Sequence, residues 1–326
     1  MGSKAGHLLP IVVVLVLANI AAWVWAGFGL GGGPEAMAAA VLAYTLGLKH
    51  AVDADHIAAI DNTTRKLMGE GRRSLAGGLW FSLGHSTIVV IVTLAIALVS
   101  DGARERLDRL KDVGALLGTA VSVLFLVVIG LGNLVVLVRL WRQWKCEEVA
   151  APAMPAGPMS RLLRPVLRLV SRSWQLYPVG LLFGLGFDTA SEIGLLGLSA
   201  AAAVHGLPLY AVLAYPLLFT AAMMLVDTLD GVMMSGLYGW ALQDPRRKLG
   251  YNLFVTLLSV GVAFGIGLIE AAGLVGDRMG LDGGLWAAIG MLNDQFGSLG
   301  LGVAALFLLA WLAAYVIDRR RRSATV

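Results

Sequence analysis

The chain has 326 residues, 58% of them hydrophobic and only 14% charged, with a formal net charge of +4 at pH 7. A soluble domain carries about a quarter charged residues, so this composition excludes an ordinary soluble enzyme or nucleic-acid-binding domain and points to an integral membrane protein. A single cysteine, Cys146, excludes a disulfide framework or a thiolate metal site within one chain.

Apolar runs long enough to cross about 30 Å of hydrocarbon fall at roughly 8–26, 36–60, 75–99, 113–138, 178–203, 209–234, 252–272 and 299–317. The expected fold is therefore all-α, a polytopic membrane protein of about eight transmembrane helices. The first run starts like a signal peptide, with Lys4 ahead of it, but is long for a signal-peptide core and is read as a helix. The organisation expected is a four-helix half (1–138), a basic loop (139–177) and a second four-helix half (178–326).

Within the loop, "VAAPAMPAGPM" reads as flexible linker. Beyond it, Arg161, Arg164, Arg168 and Arg172 recur at helical spacing among leucines and valines. That pattern fits either a basic amphipathic helix on an anionic leaflet or a solvated linker. The segment Leu285–Gly297 is open to a re-entrant or a surface reading. Lys and Arg number nineteen in one set of alternate loops and five in the other, which places both termini in the cytoplasm. Four of the five lie in Asp101–Asp112, the discordant piece.

Four spans carry ionisable groups that their hydropathy does not lead one to expect. The second has His50, Asp53, Asp55 and His56; the third His85; the fifth Asp188 and Glu192; the sixth Asp227 and Asp230. Counted along a helix at 1.5 Å per residue, these groups sit within roughly 10–15 Å of one membrane face. A shared level is what a common site requires and scattered polar residues do not. At 100° per residue His50, Asp53 and His56 form one stripe. Asp55 falls outside it, and so serves another partner, orients a histidine, or marks a local unwinding.

Imidazoles with carboxylates and no thiolate suit borderline divalent ions such as Ni2+, Co2+ or Zn2+ better than Cu+, Mg2+ or Ca2+. Met223, Met224, Met233 and Met234 read as packing rather than ligands.

These segments together resemble the nickel/cobalt transporter family, the NiCoT-type permeases. "KHAVDADHI" matches that family's second-helix signature from His50 to Ile57, with Lys49 in place of an arginine. "FSLGHSTIVV", "LGFDTASE" with Ser191 in a usual Thr position, and "MMLVDTLDG" preceded by Ala222 in a usual Gly position complete the match in order. The resemblance implies that His50, Asp55 and His56 form the metal-recognition group, with Asp53 close to it. It implies that His85, Asp188, Glu192 and Asp227 contribute to uptake from neighbouring helices.

The expected function is secondary import of Ni2+ and/or Co2+ across the inner, cytoplasmic membrane. The transported ion is then the only metal and there is no other cofactor. Expected partners are that cation and the lipid bilayer, with no nucleic acid and no ATPase subunit. No Gly-x4-Gly-Lys-Ser/Thr loop occurs in the chain. Inward movement of a divalent cation gains about 4.6 kcal/mol per 100 mV of cell-negative potential. That supports accumulation on the order of a thousandfold.

An exporter of the same ions is the nearer alternative, though the 139–177 loop lacks the histidines such exporters often carry. A membrane-embedded metalloenzyme is the further one, and no His-Glu-x-x-His run exists for it. A fainter internal pattern relates "GLKHAVDADHI" to "GLGFDTASEI", offset by one residue.

Overall fold

The computed structural model describes residues 2–72, 74–98, 104–146, 170–186, 189–241 and 245–323, and among these every regular element is helical. In chain order they are α1 (Gly2–Gly29), α2 (Pro34–His50), α3 (Ala54–Gly69), α4 (Gly77–Leu98) and α5 (Arg104–Cys146). After a 3-10 turn at Ser173–Gln175 come α6 (Leu176–Phe183), α7 (Ala190–Val204), α8 (Leu209–Val212) and α9 (Ala214–Ala241). The last three are α10 (Pro245–Met279), α11 (Gly284–Asp294) and α12 (Phe296–Ser323). Pro34 opens α2 at a position where its missing N–H costs nothing.

Among the described residues five stretches are long and apolar enough to cross a bilayer: in α1, α4, α5, the α8–α9 run and α10. The α11–α12 pair, bent by 69°, makes a sixth if taken as one span. The two remaining expected spans are each broken. The run at 36–60 is not one helix, because α2 stops at His50 and α3 starts at Ala54. Asp53 between them is extended, at φ −64° and ψ 146°. Its carboxylate bonds His50 rather than capping α3.

Gly300 of α12 packs on the Val52 carbonyl with no room for a methyl group, so another helix's backbone fills the gap. The run at 178–203 breaks likewise between Phe183 and Ala190, where the Thr189 side chain caps α7. Broken helices survive at membrane depth only where the freed backbone is buried in protein or lines a cavity. Both breaks therefore point to a site.

Residues 104–112, expected as loop, are the start of α5, which also runs on past position 138 to Cys146.

The expected halves interleave. The pairs α2–α9, α4–α6, α5–α10 and α3–α12 each pack one helix from 1–138 against one from 178–326. The burial pattern is inverted relative to a soluble protein. Phe28 and Leu268 face outward at 86% and 70% exposure, while His56, Glu192 and Asp227 are fully enclosed. Met223 and Met234 are buried in apolar clusters, as packing residues are.

Candidate metal centre

The two breaks face each other, and α4 and α9 complete the ring around them. α2 and α6 end there, directing carbonyl-rich C-termini at the gap. α3 and α7 begin there, each with a carboxylate in its first turn, Asp55 and Glu192. Carbonyl ends favour a cation, and helix N-termini hold carboxylates in place. Gly78 of α4 lies against the Asp227 carbonyl of α9 with no space for a side chain, which brings the polar faces of those helices together.

Three imidazoles form a near-equilateral triangle. Ring centroids lie 4.6 Å apart for His50–His56, 4.8 Å for His50–His85 and 5.0 Å for His56–His85. One ring nitrogen from each falls within 4.8 Å of the other two. Nε2 of His50 and Nε2 of His85 are 3.1 Å apart. Imidazole nitrogens sharing one divalent ion at about 2.0–2.1 Å, the zinc–imidazole distance, stand about 3 Å apart. Oε1 of Glu192 joins the same point, 2.9 Å from His85 Nε2 and 3.8 Å from His50 Nε2.

Partners around the triangle fix its orientation. Asp53 Oδ2 lies 3.0 Å from His50 Nδ1 and, as a carboxylate, accepts. A neutral His50 held this way carries its proton on Nδ1 and presents the Nε2 lone pair to the triangle. Thr189 Oγ1 donates to Glu192 Oε2 at 3.2 Å and lies 3.3 Å from His50 Nδ1. Ser82 Oγ donates to Asp227 Oδ2 at 2.6 Å, and that oxygen is 3.5 Å from His56 Nδ1.

Neither ring nitrogen of His56 has a hydrogen-bond partner, nor does Asp227 Oδ1, although all three atoms are buried. Orphaned buried polar atoms are rare and need a reason. A divalent cation as substrate supplies one for Asp227 Oδ1 or for one His56 nitrogen, the other nitrogen of a neutral imidazole carrying its proton.

A cavity of about 470 Å3 leads to this point and is lined by His50, Asp53, Asp55, His85 and Thr189. It extends past Leu116 of α5 to Asp277 and Arg278 near the end of α10 and to Asn293 and Asp294 of α11. His56 lies behind the cavity wall, edge-on to Phe81 at 4.8 Å. Beyond it Ala59, Ile60, Phe81, Leu176 and Phe183 form a closed apolar cluster. The site is open at one end and shut at the other.

The structure thus gathers His50, Asp53, His56, His85, Glu192 and Asp227. Asp55 is half-buried in the cavity wall, where Oδ1 accepts from the His56 backbone N–H at 2.9 Å. Of the readings open for Asp55, local unwinding is the one the backbone displays. His50, Asp53 and His56 do not share a continuous helical stripe; the break between them brings them together instead. Asp188 lies outside the described residues.

Sequence reasoning passed over Glu270 of α10, which is 6% exposed and lines the same cavity. A lone carboxylate inside an apolar run was its available signal. It also passed over Ser82 and Thr189, which sit inside quoted motifs but carry no charge to draw attention.

Residues 36–317 match the family model described as high-affinity nickel-transport protein. The chain is 43% identical to the high-affinity nickel transport protein of Cupriavidus necator, over 98% of this chain and 94% of that one. It is 48% identical to the hydrogenase nickel incorporation protein HupN of Bradyrhizobium diazoefficiens, over 94% and 82%. It is 39% identical to the cobalt transport protein NhlF of Rhodococcus rhodochrous, over 94% and 90%. No solved structure matches the chain. With broken spans enclosing three imidazoles, and a match running nearly end to end, this multi-pass membrane protein belongs to the high-affinity nickel-transport family, a family of transporters and not of enzymes.

Proposed function

We propose that the chain is a secondary transporter importing Ni2+ and/or Co2+ across the cytoplasmic membrane, with His50, His56 and His85 holding the ion in transit. The observation that carries this reading is the buried imidazole triangle at the meeting point of two broken helices. Imidazole nitrogens with one or two carboxylates suit ions of the nickel and cobalt kind. Relatives named for nickel and for cobalt transport support the same pair of substrates.

The side on which the cavity opens supports the import direction. The cavity runs toward Asp277 and Asp294, away from the basic ends formed by Arg65 to Arg72 and by Arg142 and Lys145. Basic ends mark the cytoplasmic side. The conformation is therefore outward-facing: a cation descends to His50 and His85, and the apolar cluster behind His56 holds the inner side closed. On this reading the chain crosses eight times, counting α2–α3 and α6–α7 as one broken span each. Both termini lie in the cytoplasm, and the basic loop 139–177 joins the halves 1–138 and 178–326. The membrane potential drives the ion, and no ATPase partner is required.

Loading has a proton cost. His85 Nε2 lies 2.9 Å from the Glu192 carboxylate, which only accepts, so in the empty site that nitrogen carries the proton. Ligation requires it to leave or to cross to Nδ1. Radiolabelled Ni2+ and Co2+ uptake at submicromolar concentration, in cells expressing the wild type or His56→Ala, tests the function. Accumulation by the wild type that an ionophore abolishes, and that His56→Ala lacks at equal membrane abundance, is the expected result. Loss of preloaded metal instead of gain would make the protein an exporter.

A further inference from the structure

Glu270 is a buried carboxylate to which the import reading assigns no role. It lies in the apolar stretch Asn252–Met279 and is 6% exposed. A carboxylate at membrane depth is costly and faces a polar interior rather than lipid. Here it accepts a hydrogen bond from Ser122 Oγ at 2.8 Å, across the α5–α10 contact. One turn before it, Ile266 packs with Ala54, Ala58 and Phe296, so this face of α10 is held against the start of α3. Both Glu270 and Ser122 line the cavity that ends at His50 and His85. Glu270 thus lines a route from the open side to the imidazoles.

The charges facing that cavity favour a cation. Asp53, Asp55, Glu270, Asp277 and Asp294 line it, against Lys49 and Arg278. Of these carboxylates, Asp53 is bound to His50 and Asp55 caps the His56 backbone. Asp277 and Asp294 stand at helix ends near the mouth. Glu270 occupies the stretch between mouth and imidazoles on a rigid helix, with a hydroxyl fixing its carboxylate.

Resting on the import reading, we infer that Glu270, held by Ser122, is a capture residue for the divalent cation ahead of the histidines, and so sets the apparent affinity of uptake. Negative charge in a low-dielectric funnel raises the local cation concentration about tenfold or more. The contribution belongs to loading, so it moves KM and leaves the later passage through the histidines untouched.

The test is concentration-dependent Ni2+ uptake, normalised to membrane abundance, by the wild type, Glu270→Gln and Glu270→Asp. Glutamine keeps an acceptor for Ser122 and removes only the charge. Glu270→Gln is expected to raise KM about tenfold with Vmax kept, and Glu270→Asp to restore most of the affinity. An unchanged KM in Glu270→Gln would overturn the inference, as would a fall in Vmax alone, which is what a purely structural tie between α5 and α10 produces. If Glu270→Gln does not reach the membrane, Ser122→Ala decides. Ser122→Ala displaces the carboxylate and is expected to raise KM clearly, with Glu270→Asp raising it only slightly, and an unchanged KM in Ser122→Ala overturns the inference. A wild type that moves no Ni2+ would instead defeat the import reading, independently of Glu270.

Discussion

Nε2 of His50 and Nε2 of His85 stand 3.1 Å apart on two buried side chains, although 35 residues separate them in the chain. Two imidazole nitrogens brought this close, with a third ring completing the triangle and a carboxylate oxygen alongside, are the ligand set proposed for the transported ion. The His50 ring is oriented by Asp53, which does not itself enter the triangle.

Asp53 fixes the His50 tautomer through a 3.0 Å contact to Nδ1. Asp53→Asn keeps the shape but replaces an acceptor-only group with one that also donates, so the His50 proton is no longer held on Nδ1. Partners of this kind are worth about 10–100-fold in metal affinity. Calorimetric titration of the purified protein with Ni2+ is expected to show a Kd raised by that factor; an unchanged Kd would remove Asp53 from the orienting role.

Ser82 gives Asp227 its 2.6 Å hydrogen bond deep between α4 and α9. Ser82→Ala leaves a buried carboxylate oxygen without its donor, at a cost of about 1–3 kcal/mol. The expected outcome is a lower Tm in detergent. A Tm equal to that of the wild type would mean Asp227 has another way to satisfy the charge.

Gly78 meets the Asp227 carbonyl at a spacing that excludes a methyl group, whereas Gly261 of α10 has open space around it. Gly78→Ala forces α4 from α9 and is expected to cost about 1–3 kcal/mol, with reduced uptake. Gly261→Ala serves as the control and is expected to leave both stability and uptake near wild type. Equal behaviour of the two variants would show that the α4–α9 approach does not position the site.

An ion that binds only the folded state stabilises it by mass action, about 2.7 kcal/mol at a hundredfold excess over Kd. Saturating Ni2+ is therefore expected to raise the Tm of the purified wild type clearly and that of His56→Ala little. The same rise in both would place the stabilising ion away from the imidazoles.

Depth along apolar runs made much of this arrangement legible. His50, His85 and Asp227 could be brought to one level by counting from span ends, and the structure gathers them; Asp188, counted with them, lies outside the described residues. The first break was legible only as one of the readings open for Asp55, because "HAVDADHI" has no glycine or proline to mark it. What breaks α2 from α3 is tertiary: α12 supplies Gly300 against Val52, and Asp53 turns its carboxylate to His50.

The faint internal pattern acquires a physical meaning at the same place. Asp53 precedes α3 and His56 follows three residues later, as Thr189 precedes α7 and Glu192 follows three later. The two broken helices thus deliver a ligand-type side chain from the same turn. Glu270 escaped because a single carboxylate in an apolar stretch forms no motif, and only the cavity relates it to the histidines.

The central claim is that one divalent ion rests among His50, His56 and His85. X-ray absorption at the nickel edge of the purified, Ni2+-loaded protein measures this directly. The account predicts imidazole scattering from three rings with nitrogens at about 2.0–2.1 Å, falling to two in His56→Ala. A shell of oxygen atoms alone, or a spectrum identical in the wild type and His56→Ala, would contradict it.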